Sequence, residues 1–590
     1  MPFSRFPAFA LCLAIGLPQL AFAAGLEPPP KLRVYHAMQY DPQFPEPPTT
    51  FRFTEDVLPL WLKTLEENQQ RKPPEAELQR LIASAVARAH QKGLEGTEQA
   101  IEPLAKLLQN PDTTILVRRY VARALVVLGA RGQADLLHQQ TEFNDRRLDE
   151  IIAPALGRWK HVAAEKVWLD RLRPKTSTTS RGQVRAIRAL ALFESQNALP
   201  LLRAQTVDRR APATVRMEAA EALGKLQKSD LLETARKLAE SPRSNLLDRL
   251  AAVRMLSGHQ DDSSRTFLQK MARDPQDAVA SAAWKRLLEI DPELLRPLLD
   301  FGVAHRDSEV RRSAIAALTQ LADADAAPRL RSLLNDPHPQ LRHLAAHGLL
   351  HTAETKPQLR TTILDQLQIA LNSKDWRTLE QAALLSAALD HKPALPRLLE
   401  LTQHSQAETF VAAGWALQQI ALPDNAAKIL LLLQTARIQR SSTPGFQLQA
   451  HLIQALGRLR YKPADATLRK YVPKGSSDET PRAAAVWALG RIHTGNPPEQ
   501  LVSQMHARFL DESDNDPESE LVKDFVVVGL GHMKSQQSLD MLQTAYAVET
   551  TNSVRGYLCG WAIQQMTGEP IRPQTVKQLP QARWFLEEVR

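Results

Sequence analysis

Along most of the chain, apolar residues recur at spacings of three and four, the period of a helix that buries one stripe. The pattern is sharpest at Val215-Arg216-Met217-Glu218-Ala219-Ala220-Glu221-Ala222-Leu223-Gly224-Lys225-Leu226, which reads V-R-x-x-A-A-x-A-L-G-x-L. Val310-Arg311 through Ala317-Leu318 and Leu321 repeats it, as does Leu341-Arg342 through Ala345-Ala346, Gly348 and Leu349. Ala155-Leu156-Gly157, Ala455-Leu456-Gly457, Ala488-Leu489-Gly490 and Gly529-Leu530-Gly531 are further copies of its centre. Places one, five, six, nine and twelve form the stripe, and small residues at five, six and eight let a neighbouring helix come close. A second helix follows in each unit, for example Leu231 to Ala239 and Ala327 to Leu334, with turns such as Asp274-Pro275 and Asp336-Pro337 between helices.

The first template place falls at Val117, Leu148, Val184, Val215, Leu247, Val279, Val310 and Leu341, then at Leu379, Thr409, Leu448, Pro481, Val522 and Val554. Successive copies lie 30 to 41 residues apart, and the longer steps coincide with insertions such as Pro473 to Asp478 and Asp511 to Glu520. Leu247 to Leu256 and Leu379 to Leu389 fit the template poorly, and the register stays open near 184, 247, 379 and 409. Neither helix of a pair can bury its stripe without the next pair. The prediction is an all-α protein, an α-solenoid superhelix of roughly fourteen helix pairs.

With the V-R-x-x-A-x-x-A-L-G signature in place, residues 75–567 resemble the HEAT-repeat family, in particular its short bacterial "PBS-lyase-like" repeats. The resemblance implies that Arg118, Arg216, Arg311, Arg342, Arg482 and Arg555 pair with loop aspartates along the stack, with Asp307 and Asp336 as candidate partners. That role is structural. Enzymes of this family of the deoxyhypusine hydroxylase kind carry paired His-Glu steps for two irons, and this chain contains no His-Glu dipeptide. Phycobilin lyases share the repeat but act on cytosolic pigment proteins.

The two ends differ from the array. Residues 1–23 have the form of a secretory signal peptide: Arg5, an apolar run from Ala8 to Leu17, Pro18, and a small-x-small site at Ala21-Phe22-Ala23. The run is shorter than the ~20 apolar residues that span a bilayer, and no later segment is long and apolar enough either. The expectation is a periplasmic or secreted protein with a cleaved leader. Residues 24–53 are Pro-rich and read as an extended arm; 54–95 form an N-terminal helical cap, 96–567 the solenoid, and 568–590 a C-terminal cap. Met566-Thr567-Gly568 and Trp584-Phe585 resemble the end of secreted bacterial HEAT proteins.

Composition narrows the chemistry. The chain has 590 residues, 74 Lys and Arg against 65 Asp and Glu, and 5% aromatics, so it is basic but not extreme. Two cysteines exclude a disulfide framework, and cleavage of the leader leaves Cys559 alone. There is no G-x-S-x-G, H-E-x-x-H, G-x-x-x-x-G-K-[ST] or C-x-x-C-H, so no enzyme activity and no cofactor are expected.

His343, His347 and His351 stand at i, i+4 and i+8 on one helix face, where imidazoles could share Zn²⁺ or Cu²⁺. No Asp, Glu or Cys is evident as a further ligand, and a solvated polar face is the plainer alternative. Arg119, Arg123, Arg158, Lys225, Arg458 and Arg491 occupy outward places and could line a positive groove. Trp415 and Trp487 fall at the seventh place, where an exposed indole is a peptide hot spot and a buried one is packing between units. The acidic run from Asp511 to Glu520 lacks the ligand order of an EF-hand and reads as a solvated insertion.

The first expectation is therefore a non-catalytic envelope scaffold holding a protein or peptide. Capture of an acidic polysaccharide or anionic lipid by a basic groove is the second, and metal binding at the histidine face the third. Export counts against nucleic acid as a partner.

Overall fold

The computed structural model describes residues 57–71, 74–143, 145–173, 178–439, 441–548 and 554–569. The expected leader and Pro-rich arm, and all but the first two residues of the C-terminal cap, lie outside the described residues. Among the described residues there are thirty α-helices, short 3₁₀ turns and no strand. No helix among them is long and apolar enough to cross a membrane.

The described chain divides into two units, residues 57–295 and 296–569. In the first, the helices that carry the template are Ala76–Gln91, Ile115–Val127, Arg146–Arg158, Ser180–Phe193, Ala213–Leu226, Leu246–Met255 and Asp277–Ile290, each packed on the next. Each is preceded by a companion helix, for example Leu199–Val207 or Leu232–Glu240, that packs on it. In the second unit the row of signature helices is Ser308–Leu321, Pro339–Thr355, Trp376–Ala388, Ala407–Ile420, Thr443–Arg458, Glu479–Ile492, Glu520–Met533 and Val554–Thr567. The helices expected at Leu231–Ala239 and Ala327–Leu334 are observed within a residue or two, the latter as Ala326–Ser332 followed by a 3₁₀ turn. The expected α-solenoid of helix pairs is the architecture of each unit.

The stripe behaves as a stripe. Val215, Ala219, Ala220 and Leu223, and likewise Val310, Ala314, Ile315 and Leu318, are fully buried. The glycine at the tenth place allows neighbouring signature helices nearly into backbone contact. A Cβ on Gly490 would stand 2.5 Å from the Cα of Gly529, and one on Gly457 2.6 Å from the Cβ of Ala488.

Helix starts are capped by side chains that supply an acceptor for the free N–H groups of the first turn. Asp145 accepts from the Leu148 N–H (2.8 Å), Thr179 from Gly182 (3.2 Å), and Asn245 with Asp248 forms a capping box. Helix ends share one device. Lys160, Glu194, Ala322, Asp390, Arg460 and Lys534 each follow a signature helix with φ between 45° and 62°. In most of them the next N–H donates back to the helix, as from Ser195 to the Leu190 carbonyl (3.1 Å) and from Tyr461 to Leu456 (3.0 Å). This is the Schellman arrangement.

Burial resolves the open registers. Thr409 holds, with Ala413, Ala416 and Leu417 buried. In Leu246–Met255 and the following Leu256 the buried set is Asp248, Ala251, Ala252, Val253, Met255 and Leu256, so the stripe starts at Asp248 rather than at the half-buried Leu247. In Ser180–Phe193 the buried set is Gly182, Ala186, Ile187, Ala189 and Leu190, so the stripe starts at Gly182 rather than Val184. In Trp376–Ala388 it starts at Thr378 rather than Leu379, which places Ala382, Ala383, Leu385 and Ser386 inside.

The acidic insertion is pinned rather than merely solvated. Lys474 bridges Asp511 and Asp516 at 3.2 Å each, and Arg482 donates to Glu518, whose side chain is buried. The Ser513 hydroxyl and the Lys474 ammonium hold the Asp511 carboxyl down to about 2.

Candidate partner-binding surface

The arginines that follow the first template place do bridge layers, with the expected Asp336 as one acceptor and unexpected residues further along the chain as others. Arg311 grips Asp336 with two bonds, Nε to Oδ2 at 2.6 Å and Nη2 to Oδ1 at 3.0 Å. Arg216 meets Asp248 at 2.8 Å, Arg342 meets Glu380 at 3.4 Å, and Arg482 meets Glu518 at 2.9 Å. Each acceptor belongs to the start of the next signature helix or the loop ahead of it. Arg555 reaches back to Asp524 (3.1 Å) and Glu520. Arg118 has no acid: it donates to the carbonyls of Thr113, Leu108 and Asn110 and to Gln140 Oε1, with its guanidinium over Phe143. The expected role of Asp307 is corrected. Its carboxylate caps its own helix, accepting from the Glu309 and Val310 N–H groups at 2.9 and 3.1 Å.

Of the six basic residues expected to line one groove, four lie in residues 57–295 and two in 296–569. Arg119 is bound to Asp145, Nε to Oδ1 at 2.9 Å, and Lys225 to Glu221 at 2.7 Å. Arg123 is exposed. Arg158 is half-buried, its Nη1 lacks a hydrogen-bond partner, and burial lowers its pKa. Arg458 donates to the Ala421 carbonyl at 2.5 Å, and the Arg491 guanidinium stands over the Trp487 ring at 5.8 Å. Chain-internal partners occupy four of the six, so the single basic groove expected from the template places is not what these residues build.

The exposed indoles expected at the seventh place are corrected as well. Trp415 is 4% exposed and Trp487 8%. The Trp487 ring fills the space left by the missing side chain of Gly457, 2.8 Å from where a Cβ would stand. The packing alternative holds for both.

His343, His347 and His351 do share one face of Pro339–Thr355, and the rings of His347 and His351 lie nearly parallel with centroids 6.1 Å apart. Burial lowers the pKa of His343, and burial together with the neighbouring His351 lowers that of His347. Among the described residues no group of three His, Cys, Asp or Glu is placed to hold a metal ion. The three-imidazole site is thereby corrected: the side chains at i and i+8 leave the helix about 12 Å apart along its axis, and the three rings do not converge on one point.

What the template places did not reveal is a row at the N-terminal ends of the signature helices in residues 57–295. Arg147 and Arg181 sit in the first turns of Arg146–Arg158 and Ser180–Phe193. Arg210 and Arg243 stand two residues ahead of the caps Pro212 and Asn245. All four are exposed. The signal was available in the charge distribution: residues 57–295 hold 38 Lys and Arg against 30 Asp and Glu, whereas 296–569 hold 28 of each.

Comparison with known proteins agrees with this geometry. The profile of HEAT repeats matches residues 295–366. No curated protein matches the sequence. Among solved structures, Kap95p in a study of its binding to RanGDP aligns with 86% of this chain and 72% of its own, at 13% identity and a TM-score of 0.50. Kap121p bound to Nup53p aligns with 88% of this chain at 13% identity and a TM-score of 0.51. Kap121p bound to the extreme C-terminus of the phosphatase Cdc14p aligns with 82%, at 13% identity and a TM-score of 0.50. The alignment spans 57% and 56% of the two Kap121p chains. At such identities the likeness speaks for the fold. Template, helix stacking and profile converge on the α-solenoid fold, with HEAT repeats matched at residues 295–366.

Proposed function

We propose that the protein is a non-catalytic scaffold that holds a protein or peptide partner along its stacked signature helices, and that it works in the cell envelope outside the cytoplasm. The observation that carries the reading is the unbroken stacking of signature helices within each unit. Such a stack offers an extended face of side chains repeating layer by layer, the geometry by which solenoids hold chains. The structurally similar Kap121p supports it, since it is seen bound to Nup53p and to the C-terminus of Cdc14p.

The envelope assignment rests on residues 1–23. N-terminal sequencing of the native protein is expected to start at Ala24; a chain that retains Met1 would remove that assignment. The scaffold reading is tested by cross-linking in intact cells, followed by purification and mass spectrometry. A defined protein joined to surface positions of the signature helices is the expected result. Absence of any protein above background across repeated preparations counts against it.

A further inference from the structure

We propose that the N-terminal edge of residues 57–295 binds an acidic, extended segment of a protein partner through one free arginine per layer: Arg147, Arg181, Arg210 and Arg243. The proposal rests on the scaffold reading and names the chemistry of the partner.

The four arginines occur in four consecutive layers, each in the first turn of a signature helix or just ahead of its cap. Their neighbours on the same edge are already used. Arg146 is held by Glu150 at 2.8 Å and Arg209 by Asp248 at 2.7 Å. All four are exposed, and among the described residues no side chain pairs with them. Residues 145–245, which span the row, carry 20 Lys and Arg against 12 Asp and Glu, a surplus of eight. Residues 296–569 have no surplus, and their corresponding loops present Asp375, Asp478, Glu479 and Glu520.

Spacing and charge select the occupant. Stacked helices sit about 8–10 Å apart, and a chain in the polyproline II conformation advances about 3.1 Å per residue with three residues per turn, so every third side chain returns to the same side at a new layer. Four layers take up about ten residues. The parallel N-termini of the signature helices add partial positive charge along the same edge. Carboxylate is the acceptor that arginine already takes on this ladder, at Asp145, Asp149 and Asp248. A segment rich in Asp and Glu continues that pattern with the planar fork that arginine offers.

The test uses the full chain and a fluorescein-labelled peptide of about 20 residues repeating Glu-Ser-Ser, read by anisotropy at about 50 and 200 mM salt. Expected is saturable binding that weakens with salt and weakens at least about tenfold in R147E/R181E/R210E/R243E. The variant K356E/K374E/K428E/K462E, which changes net charge equally within residues 296–569, is expected to bind as wild type. The four-Gln variant at the arginine positions, checked for unchanged circular dichroism, is expected to lose affinity without charge reversal. Equal loss in the lysine variant would show a diffuse charge effect and overturn the edge. Absence of peptide binding overturns the proposal while leaving the scaffold reading to its cross-linking test. Edge-dependent binding of heparin or phosphatidylglycerol vesicles but not of the peptide would assign the edge to a polysaccharide or a lipid surface, and the proposal falls.

Discussion

At the scale of single residues, strain and pairing are spent on turning corners and joining layers. Six non-glycine residues occupy the left-handed region directly after signature helices, where Gly129 shows the residue the conformation favours, at φ 66°. A side chain there costs about 1 kcal/mol relative to glycine. Lys534→Gly is therefore expected to stabilise its layer by about 1 kcal/mol, and Gly129→Ala to destabilise by a similar amount, both read by urea unfolding. A Cβ at Gly129 meets no atom within 4 Å, so that loss would come from the backbone alone. Buried pairing predicts a larger effect. Arg216 is 1% exposed and its acceptor Asp248 is fully buried. Burial acts to raise the Asp248 pKa, but the Arg216 hydrogen bond, the Asn245 N–H and the charges of Arg209 and Arg216 outweigh it and leave it lowered. Asp248→Asn removes the countercharge of a buried guanidinium and should cost about 3 kcal/mol. An unfolding curve superimposable on wild type would contradict the assigned role.

At the scale of the helix, small residues decide how closely two signature helices lie. Gly490→Ala would drive a methyl into the Gly529 backbone at 2.5 to 3.0 Å. The expected loss is about 3 kcal/mol, against about 1 for Gly129→Ala, because backbone rather than a flexible side-chain tip must give way. Ala314→Arg, at a fully buried fifth place, should be worse still, and wild-type melting would refute the stripe. These contacts are legible in the sequence, because a helix with one buried face repeats its small and apolar residues at fixed places. The register of Ser180–Phe193 misleads: Val184-Arg185 imitates the opening V-R of the template, although a stripe from Val184 would put Arg188 and Ser195 inside, and burial starts it at Gly182. The acceptor of Arg311 was legible as Asp336. Those of Arg216 and Arg342 were not, since they lie 32 and 38 residues on in the next layer, where local spacing carries no information. Trp415 and Trp487 stood at the expected place on the helix, but the place did not say how deeply the neighbouring layer encloses it. The free arginines escaped because they precede the template rather than occupy it.

At the scale of the whole chain, two totals matter: where charge accumulates and how buried titratable groups add up. Residues 57–295 carry the positive surplus while the array from 296 to 569 is neutral by formal charge, so anion binding by the protein should map to the first half. Stability against pH follows from the buried histidines. Burial lowers the pKa of His138, His259, His343, His347, His391 and His506, and His451 is pushed down to about 4 although its Nδ1 lies 2.9 Å from Gln418 Oε1. A free imidazole takes its proton near 6.5, so acid favours the unfolded chain, which accepts protons that the fold refuses. The contribution of each such histidine is complete above its unfolded value and is lost as the pH falls through its folded value. For His451 the window runs from about 6.5 to about 4 and the loss reaches about 3 kcal/mol. Lowered carboxylates such as Asp248 add their own loss only below about 4. Urea midpoints are therefore expected to fall steadily between pH 7 and pH 4.5, before the carboxylates begin to protonate. His451→Gln, which keeps an amide beside Gln418 and removes the titration, should flatten the fall in the signal from residues 296–569, reported by hydrogen exchange layer by layer because an array need not unfold in one step. Midpoints that hold level across that interval in the wild-type chain, or a fall in His451→Gln as steep as wild type, would show that His451 is not what couples acid to the unfolding of this array.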